Sequence, residues 1–141
     1  EEVQIARLTT GSDLESLQPR MSAAEIIGHQ ELVRRIPVPD HIYRYAARLV
    51  RKTRPNGDTA PAWLKPLISW GAGPRAVQNL ILGAKTRAAL HGSYMVRLED
   101  IQQVAPAILT HRLITTFAAQ AEQITAKTII SRLIQEAIDE V

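Results

Sequence analysis

An all-α fold, a small helical bundle with at most one very short β bridge, is what the sequence predicts, and three observations predict it. Apolar residues recur at helical spacing through most of the chain, and the breaks between those stretches carry helix-start and helix-stop chemistry. No alternating strand series, internal repeat or low-complexity tract occurs. The chain has 141 residues, of which 45% are hydrophobic and only 4% aromatic, so the core must be built from Leu, Ile, Val and Ala. A chain of this length buries about 68–70% of its unfolded surface, enough for an unaided core.

Glu2–Leu8 places Val3, Ile5 and Leu8 irregularly and predicts a short helix. Thr9–Met21, with Gly11, Ser12, Asp13 and Pro19, predicts a polar connector. Ser22 and Glu25 have the spacing of a capping box, opening a helix that should bury Ile26, Ile27 and Val33 and end before Pro37. Asp40 should cap the next helix, to about Thr53, with Ile42, Tyr45, Ala46, Leu49 and Val50 on its inner face. Arg54–Asp58 is a turn cluster.

The middle of the chain is looser. Ala60–Trp70 holds both tryptophans and predicts one or two helical turns pinned by aromatic packing. After Gly71-Ala72-Gly73, Pro74 starts a helix that should run to about His91, bury Val77, Leu80, Ile81, Ala84 and Ala88, and stop at Gly92. Tyr94–Val96 predicts a short bridge against Ile36–Val38. A helix from Leu98, led by Glu99 and Asp100, should be interrupted or restarted at Pro106. Two final helices meet at Thr125, a cap, with Phe117, Ala121 and Ile124 on one stripe and Ile130, Leu133, Ala137 and Val141 on the other.

Several function classes are excluded or weakened. With no cysteine there is no disulfide, thiol nucleophile or thiolate metal site. No apolar run approaches the roughly 20 residues that span a bilayer, and the composition points to a cytoplasmic protein. The charge of +3 is too small to indicate nucleic acid by itself. His29, His41, His91 and His111 lack the spacing of a helical zinc site, so no metal ligands are expected. The acidic pairs Glu1-Glu2, Glu99-Asp100 and Asp139-Glu140 are adjacent residues and suit helix-end charge better than acid–base work. Gly83-Ala84-Lys85-Thr86 imitates the end of a nucleotide-binding loop. However, an extra alanine separates Gly83 from Lys85, and the segment lies within a periodic helix whose N–H groups are already engaged.

Two features remain. Gly71, Ala72, Gly73, Pro74 and Arg75 form a tight turn into a helix whose first N–H groups and positive dipole end, joined by a guanidinium, suit an anion. The same residues also describe an ordinary helix start with an arginine in water. Arg44, Arg48, Arg51, Lys52 and Arg54 form a basic run without an intervening acid. It reads either as a solvated face or as a surface for phosphate, nucleic acid or an acidic partner.

Taken in order, the residues resemble a known family. Tyr45, Leu49-Val50, Thr53-Arg54, Gly71-Ala72-Gly73-Pro74-Arg75-Ala76, Ala84-Lys85, Tyr94-Met95-Val96, Glu99-Asp100-Ile101, Ala105-Pro106 and His111-Arg112-Leu113 are similar in sequence and spacing to the C-terminal lid of MoxR-family AAA+ ATPases. Gly73 stands where the family usually has serine. The resemblance implies an all-α lid over residues 22–141, with residues 1–21 as the connector from an ATPase core lying outside this sequence, and a chain starting at Glu1 would then be part of something longer. It implies that Arg75 is the second sensor, reaching the phosphates of ATP with Mg bound by the core, and that Gly71–Gly73 line the nucleotide cleft. The implied partners are that core and neighbouring subunits of a homo-oligomeric ring, a hexamer, that performs chaperone-like remodelling. No cofactor is expected on the isolated chain, which should be inactive. The alternative is a small basic helical module for nucleic acid or an adaptor, the former through Arg44–Arg54 and a helix-turn-helix around Leu98–Leu113.

Overall fold

The computed structural model describes residues 1–11 and 18–138. The expected turn residues Ser12 and Asp13, the pair Asp139-Glu140 and the stripe residue Val141 lie outside the described residues. The chain divides into two parts, Glu1–Gln30 and Glu31–Val141. In the first, α1 (Glu2–Thr10) is the expected short helix and buries none of its residues. α2 (Ala23–Arg35) starts on the Ser22 capping box. There the Glu25 N–H donates to Ser22 Oγ at 3.3 Å and the Ser22 N–H to Glu25 Oε2 at 2.7 Å. The bonds from the Ser22 N–H and hydroxyl favour the carboxylate and hold the Glu25 pKa below its ordinary value. Ile26 and Ile27, expected to be buried, are 46% and 57% exposed. A cap sets where a helix begins, not which side meets a core.

The second part holds the core. α3 (Asp40–Lys52) buries Ile42, Tyr45, Ala46, Leu49 and Val50 as the periodicity predicts. Its N-cap is Pro39, not Asp40: the Pro39 carbonyl accepts the Ile42 N–H at 3.0 Å, and Asp40 in the first turn pairs with Arg44 at 3.6 Å. Turns over 61–67 follow, in which Leu64 is fully buried. Trp63 pins them, because the Arg132 guanidinium lies 3.9 Å over its ring and its Nε1–H donates to Glu136 at 3.0 Å. Trp70 does not share that role. It ends a strand, β1 (Ile68–Trp70), and is 69% exposed.

α4 (Pro74–Leu90) and α5 (Leu98–Leu109) pack on each other, and α5 also meets α3 and α7 (Ala126–Ile138). Gly92, in the left-handed region at φ +65, ends α4 as expected. Pro106 lies inside α5 and does not break it. It sits near the C-terminal end, where Ala105 and Leu109 are buried, and Thr110 Oγ1 and Arg112 Nε donate to the Pro106 and Ile108 carbonyls at 2.6 and 3.0 Å. Burial and these side-chain bonds outweigh the missing ladder bond.

The strand pairing sits elsewhere than expected. β1 pairs antiparallel with β2 (Ile114–Thr115), Ile68 opposite Thr115 and Trp70 opposite Ile114. Between Tyr94–Val96 and Ile36–Val38 there is a single contact of the expected kind, the Val96 N–H donating to the Pro37 carbonyl at 3.1 Å. α6 (Phe117–Ala121) is five residues long, and its phase is set by Thr116, whose hydroxyl accepts the Ala119 N–H at 3.2 Å. Ala119 therefore turns inward, while Phe117, assigned to the buried stripe, is 85% exposed and Ala121 is also exposed. Thr125 caps α7 through the Thr128 N–H at 3.2 Å, and Ile130, Leu133 and Ala137 are buried. Among the described residues the fold is helical with one two-stranded ribbon, as the sequence class requires.

Candidate functional site

Gly71–Gly73 connect β1 to α4, whose first turn holds Pro74 and Arg75, and each residue of the turn has an identifiable structural task. Gly71 passes so close to the end of α3 that a Cβ there would collide with the Thr53 carbonyl and the Arg54 Cα. No residue with a side chain fits without moving backbone. Ala72 is buried, its N–H donating to Thr53 Oγ1 at 2.9 Å and its carbonyl accepting from Arg54 Nε at 3.0 Å. Gly73 is the N-cap of α4 in extended conformation, with open space where a side chain would be. Its carbonyl accepts the Ala76 N–H at 3.0 Å. Pro74 occupies the first turn, where its fixed φ suits a helix and its missing N–H costs nothing.

Arg75 follows on the exposed side of that first turn. Among the described residues it has no hydrogen-bonding or ion-pair partner. Ala76 on the opposite side is fully buried and holds the turn to the core. A permanently charged fork therefore stands at the positive end of a 17-residue helix. Such an end attracts an anion, and a phosphate can accept from the guanidinium in a bidentate manner. Beside the turn, Pro55, Asn56, Ser69, Trp70 and the Gly71–Gly73 backbone line a shallow cavity of about 220 Å³.

The basic run does not form one charged face. Lys52 is only 7% exposed, Arg54 is tied to the Ala72 carbonyl, and Arg44 pairs with Asp40. The pair Glu99-Asp100 does serve a helix end, because the Asp100 carboxylate accepts the Arg97 N–H at 2.9 Å. It also meets Arg87, at 3.6 Å from Glu99 and 3.4 Å from Asp100, a link to α4 that sequence reasoning missed. The clamping roles of Thr53 and Arg54 were missed as well. Their signal was a threonine and an arginine directly after an apolar helix stripe, readable as a C-terminal cap but not as a contact 18 residues away. Among the described residues no group of three or more His, Cys, Asp or Glu could hold a metal, and no helix is long and apolar enough to cross a membrane.

Residues 62–133 match the family described as AAA lid domain. The chain is 30% identical over 115 residues to Chaperone MoxR1 of Mycobacterium tuberculosis, covering 82% of this chain and 30% of that protein. It is also 30% identical over 134 residues to the uncharacterized protein YeaC of Bacillus subtilis, covering 94% of this chain and 39% of the relative. A crystal structure of a Cytophaga hutchinsonii protein considered an ATPase superposes with a TM-score of 0.80 at 27% identity, over 95% of this chain and 41% of that one. The chain thus spans well under half the length of the proteins it matches.

Proposed function

The chain belongs to the AAA lid domain family, in the form carried by MoxR-type ATPases, and from that premise we propose that it closes over ATP held by an ATPase core and presents Arg75 to the phosphates. The observation that carries this reading is the exposed Arg75 at the start of α4, without a partner among the described residues and held there by a turn whose own polar groups are engaged. The residues present fit a phosphate: a guanidinium, a helix N-terminus, and open space above Gly73. On this reading Mg is held by acidic residues of the core, and the core's nucleotide supplies the phosphoryl group.

The lid's own contribution is electrostatic. Arg75 lowers the energy of charge developing on the terminal phosphate, and its contact makes lid position depend on nucleotide state. Residues 1–21 serve as the connector from the core and 22–141 as the lid. The whole protein works in the cytoplasm as a ring of such subunits, coupling ATP hydrolysis to chaperone-like remodelling of other proteins. Similarity to a protein named a chaperone supports that last step. Arg75→Ala in the full-length protein is expected to lower ATP turnover by about 10- to 1,000-fold while leaving the thermal unfolding of the lid unchanged. Unaltered turnover would overturn the sensor assignment.

A further inference from the structure

We propose that Thr53 and Arg54 are positioning residues for Arg75, fastening the turn that carries it to the C-terminal end of α3. The proposal rests on the reading of Arg75 as a phosphate contact. Thr53 is fully buried, and its hydroxyl is used in both directions, donating to the Val50 carbonyl at 2.6 Å and accepting the Ala72 N–H at 2.9 Å. Arg54 Nε donates to the Ala72 carbonyl at 3.0 Å. Both main-chain polar groups of Ala72 are therefore satisfied by consecutive residues of one helix end, and the Gly71 backbone presses on the Thr53 carbonyl.

The turn cannot swing without giving up two hydrogen bonds in a largely buried site and reopening a close backbone contact. α4 begins at Pro74, two residues beyond Ala72, so the base of the Arg75 side chain inherits the position of α3. A long arginine stem transmits any shift at its base to the guanidinium, and a displacement of about 1 Å at a reacting group can cost about 10²-fold in rate. Arg54, counted from sequence among possible phosphate contacts, thereby becomes a strut within the lid.

The test is a double-mutant cycle in the full-length protein, read by steady-state ATP hydrolysis. Thr53→Val keeps the shape of the side chain but removes the acceptor for the Ala72 N–H. It is expected to lower kcat about tenfold with KM for ATP held within about twofold, and Thr53→Ser is expected to restore kcat. Arg54→Ala, at a half-buried position, gives a second probe if Thr53→Val fails to fold. In the Arg75→Ala background neither substitution should slow turnover further. Full additivity in that background, or failure of Thr53→Ser to rescue, would overturn the positioning role, and persistent slowing by Arg54→Ala would mean that Arg54 acts on the nucleotide itself. If Arg75→Ala alone leaves turnover unchanged, the sensor reading fails and not merely its support.

Discussion

Gly71 and Thr53 are in direct backbone contact across the end of α3, close enough that a Cβ on Gly71 would overlap the Thr53 carbonyl oxygen. This contact, more than any requirement for unusual backbone angles, explains the glycine, since neither Gly71 nor Gly73 has a positive φ. Gly73, two residues on, faces open space.

The two glycines should therefore respond oppositely to substitution. Gly71→Ala must push α3 and the turn apart and is expected to destabilise the fold by about 1–3 kcal/mol. Gly73→Ser adds an N-cap acceptor at a position with room for it and is expected to stabilise by a few tenths of a kcal/mol. Urea denaturation of the two variants beside the parent checks both. Equal destabilisation would mean that the turn is not packed as described.

The helices legible in the sequence were those with both a start signal and a buried stripe. α3 and α4 show this: apolar spacing named the five buried apolar residues of α3 and, in α4, Leu80, Ile81, Ala84 and Ala88, while Val77 is only half-buried and the unnamed Ala76 is buried beside it; Gly92 marked the stop. Phe117 shows the limit. In a five-residue helix one capping threonine decides the phase, and hydrophobicity alone assigned the aromatic ring to the inside. The ribbon of β1 and β2 escaped notice because three residues and two residues are too short for an alternating pattern to register. At the candidate site the turn and its arginine were visible as a motif. The Thr53 and Arg54 clamp was not, since contacts between residues this far apart depend on how α3 and α4 pack.

Arg87 joins α4 to α5 and should carry a measurable share of stability. Its guanidinium meets Glu99 at 3.6 Å and Asp100 at 3.4 Å, and its Nη1 lies 3.2 Å from His91 Nε2. Glu99 is exposed and contributes little, but Asp100 is buried, so loss of the arginine leaves a carboxylate supported mainly by the Arg97 N–H. Arg87→Ala is expected to cost about 2 kcal/mol, less than for a fully enclosed pair because Arg87 is itself one-quarter exposed. Arg87→Lys keeps the charge without the planar fork and should recover only part of this. A double-mutant cycle with Asp100→Asn isolates the pair, and a coupling near zero would show that the contact is merely adjacent.

Tyr45 places a phenol in the core, and its titration should be visible in the alkaline stability of the protein. Its hydroxyl oxygen is buried and, among the described residues, has no partner at full hydrogen-bonding geometry, although the Gln102 side chain lies beside it. Burial raises its pKa above the ordinary 10.0, with the neighbouring Gln102 side chain and the Arg48 charge opposing the rise only in part. Between the ordinary value and the raised one, the folded chain holds a proton that the unfolded chain has released. The stabilising contribution is therefore complete below pH 10.0 and is lost as pH climbs through the folded value. Tyr45→Phe removes this titration, while at neutral pH it should change stability by less than about 1 kcal/mol, because a buried hydroxyl without a well-formed hydrogen bond contributes little. Tyr43 and Tyr94 are present in both proteins, so the difference between the two stability curves isolates Tyr45. Urea unfolding from about pH 8 to about pH 11 is expected to show the parent falling more steeply than the variant above pH 10.0, and parallel curves would show that the phenol reaches solvent in the folded state.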